Sequence, residues 1–253
     1  MWRSRRALLA IALMSGLGSA CATQQPRRGP SHPTAIVRLE RAYINSYIII
    51  GERVVVVDTG VAGGAKRVLR ALKRKGYAPT DVALIVLTHA HADHAGSAAE
   101  LRERTGAPIL GGAADAQSFA RGHNDAMKPT GKAGRRVLPF IRQDYPGFVP
   151  DRLISEDMDL HPMGIPARVL VMPGHTPGTL VVVLDDGRAI AGDLVRGKFL
   201  KKSEPALHFF HADQPAAHRH LGELLDTYGV RRVHPGHGHA LAEPALREFL
   251  RAR

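Results

Sequence analysis

Cysteine is almost absent from this 253-residue chain, which has only one, at Cys21. A single thiol excludes an intrachain disulfide and also a metal cage built from cysteines. Aromatic residues are scarce too, at 5% of the chain, and no segment joins them to clustered basic residues. The net charge of +12 would suit a nucleic acid, an anionic membrane surface or an anionic substrate, but the scattered cations favour an arginine-rich solvated surface. Without a disulfide, the fold must depend on its apolar core or on bound metal.

Long apolar runs and internal repeats are missing as well. The apolar stretch at 7–17 is too short to span a bilayer, and no repeat has the period of a solenoid. Hydrophobic residues make up 44% of the chain and charged residues 23%, which are ordinary values for a globular domain. The composition therefore predicts one large domain or two small ones with ample core.

The first twenty residues have the composition of an export signal. Three arginines lie within the first six residues, the apolar stretch follows, and small residues precede Cys21. This segment resembles a bacterial lipoprotein signal peptide, in which the cysteine is lipidated, although Gly18 stands where such signals usually have leucine. Residues 4–9 also resemble a twin-arginine export motif without its usual phenylalanine. A plain secretory peptide cleaved near Ala20 is the alternative.

These features divide the chain into three parts. We expect a signal peptide at 1–21 ending in the lipobox-like Cys21, a flexible proline-rich tether at 22–33, and one folded domain at 34–253. The expected location is outside the cytoplasm, in the bacterial periplasm or at a membrane that a lipid on Cys21 would contact.

The folded part alternates between short strands and helices. Strands are predicted at 35–39, 43–50, 54–57, 82–87, 108–110, 168–172, 180–184, 189–191 and 230–233. Helices are predicted at 65–75, 94–104, 113–120, 216–228 and 244–251. The first three strands should form a meander. Two similar halves of this kind indicate an α/β domain in which two mixed β-sheets are covered by helices.

Residues 122–150 form the least regular stretch, rich in glycine, proline and charge. An irregular segment of this length within a compact domain is usually functional or disordered. Phe140, Tyr145 and Phe148 are expected to supply an aromatic surface there.

Ionisable residues crowd into the sequence LTHAHADHAG at 87–96. In an extended segment His89 and His91 point to the same side, while Asp93 and His94 begin the next helix and can turn back toward them. Imidazoles combined with a carboxylate suit a divalent ion, above all zinc. Four ligands this close could hardly all bind one ion with good geometry, so the spacing favours a dinuclear site.

Further candidate ligands follow apolar runs elsewhere in the chain. They are Asp58, His175, Asp193 and His237. Such positions at the carboxyl ends of strands gather at one edge of a stacked α/β fold. Glycines precede three of the four, which lets the backbone turn sharply and approach closely.

The motif HxHxDH at 89–94, followed in order by PGHT, GD and PGHG, resembles the metallo-β-lactamase superfamily. This resemblance extends from about residue 35 to the end of the chain, and it implies an αββα sandwich. It implies a first metal held by His89, His91 and His175. It implies a second metal held by Asp93, His94 and His237. Asp193 would bridge the two ions, and Asp58 stands where the family has an aspartate that orients ligand histidines.

The resemblance also implies the chemistry. We expect a dinuclear, zinc-dependent hydrolase that cleaves an ester, thioester or lactone with a hydroxide bridging two divalent ions, with Fe or Mn as alternatives to Zn²⁺. Asp93 and Asp193 would be the catalytic residues. True metallo-β-lactamases have cysteine or serine where this chain has Asp193, whereas the aspartate is similar to that of glyoxalase II and acyl-homoserine lactonases. Export shifts the expected small-molecule substrate toward lactones and other esters.

Three other functions fit the same residues. They are a phosphodiesterase or nuclease, a mononuclear iron dioxygenase that needs only part of the ligand set, and a non-catalytic metal-binding lipoprotein. Basic charge favours the first, whereas export and the lack of a nucleic-acid-binding appendage argue against it. The oligomeric state is left open by the sequence.

The remaining histidines and the cations after Asp193 are weaker candidates. Surface positions are expected for His208, His211, His218 and His220. Supporting or surface positions are expected for His234 and His239. The cations Arg196, Lys198, Lys201 and Lys202 would bind an anionic substrate group or form a solvated loop.

Overall fold

The computed structural model describes residues 34–125 and 127–252. The predicted signal peptide, Cys21 and the tether lie outside the described residues. Within the described part, no helix is long and apolar enough to cross a membrane.

In the described residues the chain forms fourteen strands and six α-helices. The strands are β1 Ala35–Arg41, β2 Ile44–Ile50, β3 Val54–Val57, β4 Val82–Val86, β5 Ile109–Gly112, β6 Arg152–Ile154, β7 Met158–Asp159, β8 Ala167–Val171, β9 Leu180–Leu184, β10 Arg188–Gly192, β11 Arg196–Gly197, β12 Pro205–Ala206, β13 Arg232–Pro235 and β14 Leu241–Ala242. The helices are α1 Ala65–Arg74, α2 Ala98–Thr105, α3 Ala116–Arg121, α4 Lys132–Val137, α5 Gln214–Asp226 and α6 Glu243–Arg251.

Strands β1 to β6 form the first sheet in sequence order. β1, β2 and β3 are the predicted antiparallel meander, and β3 to β6 run parallel to one another. Because β3 and β4 are parallel neighbours, Asp58 and the histidine motif follow them at the same edge of the sheet.

The second sheet has the order β14-β13-β10-β9-β8-β7. It is antiparallel except between β10 and β13, which pair in parallel. That parallel pair brings Asp193, just after β10, close to His237, just after β13.

Three buried apolar clusters hold the two layers of helices and the two sheets together. The inner faces of the two sheets meet in one buried cluster that includes Tyr47, Val57 and Val182. The outer face of the first sheet packs against α1 and α2, and the outer face of the second packs against α5 and α6. The four layers confirm the predicted αββα sandwich with two mixed sheets.

One helix boundary differs from the prediction at the motif. The expected helix at 94–104 begins only at Ala98, and residues 92–97 form turns instead. The carbonyl of His94 accepts hydrogen bonds from the Thr59 amide (2.7 Å) and from its hydroxyl (2.9 Å). Because Thr59 occupies the His94 carbonyl, that carbonyl does not accept a hydrogen bond from the Ala98 amide, as it would in a helix.

The irregular segment 122–150 is more ordered than its composition suggests. It contains α4 and a 3₁₀ turn, Leu138–Phe140. The expected aromatic surface is wrong for two of its three residues, because Tyr145 and Phe148 are buried in the core. Only Phe140 is exposed, at 86%.

Candidate metal centre

The loop that carries the histidine motif is held by side chains from neighbouring loops. The Ala90 amide donates to Asp115 Oδ2 at 3.0 Å, and the Ala92 amide donates to Asn124 Oδ1 at 2.7 Å. Asp115 also accepts from the Gly178 amide at 2.8 Å. One carboxylate therefore joins the motif loop to the loop that carries His175. Nothing in the sequence marked Asp115 for this role.

Asp58 fixes the orientation of one motif histidine. His94 Nδ1 donates to Asp58 Oδ2 at 2.8 Å, and the Thr88 amide donates to Asp58 Oδ1 at 2.8 Å. Asp58 itself has a left-handed backbone with φ of 60°, a conformation that non-glycine residues rarely adopt and that is often found at functional sites. The structure thus places Asp58 behind His94, so that His94 Nε2 faces the centre.

Asp193 occupies the middle of the cluster. Its Oδ2 lies 3.5 Å from His94 Nε2, 3.6 Å from His175 Nε2 and 3.3 Å from His237 Nε2. His89 Nε2 is 3.9 Å away. One carboxylate oxygen therefore stands between both groups of residues that the sequence assigned to separate ions.

The predicted residues come together in overlapping groups. Ligand atoms within 4.8 Å of one another belong to His89, His91 and His175; to His89, His94 and Asp193; to Asp93, His94 and His237; and to His175, Asp193 and His208. Several of these atoms are buried without a hydrogen-bond partner, namely His89 Nε2, His94 Nε2 and Asp193 Oδ1. Buried polar atoms without partners are costly, and metal ions would satisfy them. The donor set, imidazole with carboxylate, fits borderline divalent ions such as zinc.

A glycine makes the close approach at His237 possible. A Cβ at Gly236 would lie 2.2 Å from Asp193 Oδ1 and 2.6 Å from His94 Cε1. His237 Nδ1 donates to the Tyr43 carbonyl at 3.0 Å, which directs Nε2 toward Asp93 and Asp193. The neighbouring histidines lie elsewhere: His234 packs edge-on against Tyr47, and His239 lies 4.0 Å from Glu40.

Burial and charge set the protonation of the cluster. Burial holds the pKa of His89 and of His175 well below the ordinary value and lowers the pKa of His91 to about 4. These rings are therefore neutral and can offer a lone pair. Burial also raises the pKa of Asp193, but the surrounding imidazoles outweigh it, so the net pKa lies well below its usual range. Asp193 is ionised.

Two histidines expected at the surface are instead buried beside this cluster. His208 is 5% exposed and His211 is 3% exposed, and His208 Nε2 lies 3.1 Å from Asp193 Oδ2. The segment after β12 folds inward, since the His211 amide donates to Lys128 and the Ala212 amide donates to His175. No local pattern in the sequence separated these residues from His218 and His220, which lie on α5.

A cavity of about 230 Å³ opens above the cluster. Its floor includes His91, Asp93, Asp193, His208 and His237, and its walls are mostly apolar and aromatic: Tyr43, Met127, Val137, Ile141, Phe199, Phe209 and Phe210. The segment 122–150 thus supplies part of a wall.

Of the four cations after Asp193, one lines this cavity. The three lysines are paired with carboxylates: Lys198 and Lys201 with Glu204, and Lys202 with Glu40. Arg196 instead lies over the Phe209 ring, 4.1 Å from its centroid, and makes no ion pair with a described carboxylate. Arg196 is therefore the cation among them that is placed to meet an anionic ligand.

The chain belongs to the metallo-beta-lactamase superfamily, whose family model matches residues 39–237. The fold, the order of the motifs and the clustered candidate ligands all agree with this assignment.

Several relatives share this superfamily. Hydroxyacylglutathione hydrolase from Xanthomonas campestris pv. campestris is 28% identical over 213 residues, which cover 84% of this chain and 67% of that protein. Beta-lactamase-like protein 2 homolog from Drosophila melanogaster is 25% identical over 210 residues, covering 79% of this chain and 60% of that protein. The chain thus spans about three fifths to two thirds of the length of these relatives.

Solved structures agree on the fold. The MIM-2 metallo-beta-lactamase superposes with a TM-score of 0.62 at 21% identity, over 87% of this chain and 83% of that chain. A metallo-beta-lactamase family protein from Thermus thermophilus gives a TM-score of 0.61 at 24% identity, over 87% of this chain and 78% of that chain. At these identities the similarity bears on the fold alone.

Proposed function

We propose that this protein is a metal-dependent hydrolase that cleaves an ester, thioester or lactone at a centre of two divalent ions, with Zn²⁺ as the preferred metal. The position of Asp193 carries the proposal. Its Oδ2 lies within 3.9 Å of His89 Nε2 on one side and 3.3 Å of His237 Nε2 on the other, as a carboxylate shared by two ions requires.

The ligand sets proposed are those of the resemblance. His89, His91 and His175 would hold one ion, Asp93, His94 and His237 the other, and Asp193 both. Two such ions supply an acidified water and a polarised substrate oxygen near neutral pH. No serine or cysteine nucleophile is then needed.

The chain's own residues would orient the reaction and move its proton. Asp93 Oδ2 lies 3.3 Å from His237 Nε2 at the cavity floor, and its side chain is 30% exposed. It is therefore the carboxylate that can accept a proton at the floor and pass it on to the leaving group. Asp58 keeps His94 in one tautomer, as partners behind metal ligands commonly do.

We infer the class of substrate from the residues that line the cavity. Aromatic and aliphatic walls suit an apolar acyl or alkyl body, and Arg196, which also lines the cavity, suits an anionic group on the same substrate. The hydroxyacylglutathione hydrolase relatives are compatible with a thioester, whereas the proposed export favours a lactone or another ester.

The rival functions are less well supported by these contacts. The lysines that would attract a phosphodiester are paired with Glu204 and Glu40. A mononuclear iron centre would use only part of the ligand set, and it would leave Asp93, His94 and His237 without an ion to bind. A non-catalytic binding role does not require the open cavity above the cluster.

A pH-stat assay of the zinc-loaded protein tests the proposal. The panel contains homoserine and aliphatic lactones, aryl esters, a thioester, a β-lactam and a phosphodiester, with Asp193→Asn as the inactive control. We expect acid release from a lactone, ester or thioester that is lost in the control. Turnover that survives in Asp193→Asn, or cleavage of the phosphodiester alone, would contradict it.

We also propose that the protein is exported and that Cys21 is its lipid attachment site. The basic, apolar and small-residue order of the first twenty residues supports this. Labelling with a radioactive fatty acid in a bacterial host, compared with Cys21→Ser, tests it; equal labelling of both proteins contradicts it.

A further inference from the structure

His208 shows the geometry of a metal ligand although the family motifs do not include it. It lies between β12 and α5 with 5% of its surface exposed. Its Nδ1 lies 3.1 Å from the carbonyl oxygen and 3.3 Å from the amide nitrogen of Phe210, so residue 210 holds the ring by the side opposite Nε2. That Nε2 points at Asp193 Oδ2, 3.1 Å away.

The same carbonyl orients a proposed ligand in the same way. His175 Nδ1 donates to the Phe210 oxygen at 2.9 Å, and His175 Nε2 lies 3.6 Å from Asp193 Oδ2. Residue 210 therefore contacts the Nδ1 side of two imidazoles, and the Nε2 atoms of both face one carboxylate. Ligand histidines are commonly held through the other ring nitrogen in this manner.

His208 belongs to one group of candidate ligand atoms with two of the proposed ligands. A ring nitrogen of His208, one of His175 and a carboxylate oxygen of Asp193 lie within 4.8 Å of one another, a spacing that allows them to share one ion. The His208 ring also lies 4.6 Å from the ring of His175 and 5.5 Å from the ring of His237, so it is surrounded by proposed ligands on two sides.

We propose that His208 is an additional ligand of the metal centre and shares an ion with His175 and Asp193. The inference rests on the metal-binding part of the proposed function. Its chemical consequence is a centre with six imidazoles instead of five. Such a nitrogen-rich set favours Zn²⁺, Co²⁺ or Fe²⁺ over Mn²⁺, which prefers oxygen ligands.

Cobalt substitution tests this without a substrate. Full-length protein labelled with ¹⁵N-histidine is freed of metal and loaded with Co²⁺, and the paramagnetically shifted ring N–H signals are counted by NMR. Each bound imidazole contributes one such signal. We expect one signal more than the five proposed ligand histidines supply; five or fewer would overturn the inference.

Two variants assign the extra signal. His208→Asn keeps a donor for the Phe210 carbonyl but has no nitrogen at the Nε2 position, and it should lose one signal and weaken Co²⁺ affinity at least about tenfold. His211→Asn is the matched control, since His211 is equally buried in the same segment but belongs to none of the ligand groups. It should keep the shifted signals and the affinity of the wild type.

The outcomes separate this inference from the proposed function. Wild type that binds Co²⁺ with unchanged spectrum and affinity in His208→Asn contradicts only the role of His208. Wild type that binds no Co²⁺ contradicts the proposed metal centre itself. If His208→Asn does not fold by circular dichroism, the signal count in the wild type decides.

Discussion

Asp58 Oδ2 accepts the Nδ1 hydrogen of His94 at 2.8 Å, so the carboxylate grips the ring on the side away from the proposed metals. This contact links the end of β3 to the motif loop after β4. It lets a residue 36 positions earlier in the chain decide where His94 Nε2 points.

Replacing Asp58 by alanine should therefore weaken the binding of one metal ion more than the binding of the other. Without the carboxylate, His94 can rotate or change tautomer, and the Thr88 amide loses its acceptor. We expect about 10- to 100-fold weaker binding of the ion that His94 would hold, with a smaller effect on the ion at His89 and His91. Competition with a zinc chelator resolves the two steps. Unchanged affinity for both ions would show that the contact has no such role.

Asp115→Asn should lower stability, because the carboxylate accepts hydrogen bonds from Ala90, Thr176 and Gly178. The amide replaces one acceptor by a donor, so buried donors lose a partner at a cost of about 1–3 kcal/mol. Chemical unfolding of the metal-free protein measures the loss. Asp144→Asn, in an exposed side chain, is the control and should shift stability by less than about 0.5 kcal/mol. Equal effects of the two changes would argue against the bridging role of Asp115.

Gly236→Ala should disrupt the proposed metal centre by a steric clash, without removing any candidate ligand. The new Cβ would lie 2.2 Å from Asp193 Oδ1, so Asp193 or the backbone must move. We expect less than two equivalents of bound zinc by elemental analysis and a corresponding loss of turnover. Gly131→Ala is the control, since a Cβ there meets nothing within 4 Å. Full metal content in Gly236→Ala would mean that the cluster tolerates the displacement.

His234 makes stability depend on pH outside the proposed ligand set. Burial, assisted by Arg188, Arg232 and Arg38, lowers its pKa to about 4. In the unfolded chain His234 titrates near the usual histidine pKa of about 6.5. Above that pH it is neutral in both states and does not affect stability. Below it the unfolded state binds a proton that the folded state does not bind, which opposes folding. Its contribution should fall by about 2–3 kcal/mol as pH decreases from about 6.5 to about 4.

Comparison with His234→Gln isolates that contribution from the other buried histidines. Urea unfolding of both proteins between about pH 7 and about pH 4 should show a shallower loss of stability in the variant. Parallel curves would mean that His234 is protonated to the same extent in the folded and unfolded chains.

Much of the architecture was readable from residue order. β-branched runs such as 54–57 and 180–184 matched strands, since both are fully buried and read as continuous apolar runs. The motif residues could be grouped because each follows a strand end, where a layered fold gathers its site.

What the sequence missed depends on contacts distant along the chain. The helix expected at 94–104 starts late because Thr59 takes the His94 carbonyl. His208 and Asp115 acquire their positions from loops that meet only in the folded protein, and no spacing rule connects His208 to His175, 33 residues before it. Local sequence propensity does not predict contacts between residues so far apart in the chain.

Anomalous X-ray scattering at the zinc edge, from crystals of the zinc-loaded protein, tests the central claim most directly. We predict two peaks about 3.5–4 Å apart on either side of Asp193, one beside His89, His91 and His175, and one beside Asp93, His94 and His237. A single peak, or two peaks that do not share Asp193, would contradict the dinuclear centre on which the proposed hydrolysis depends.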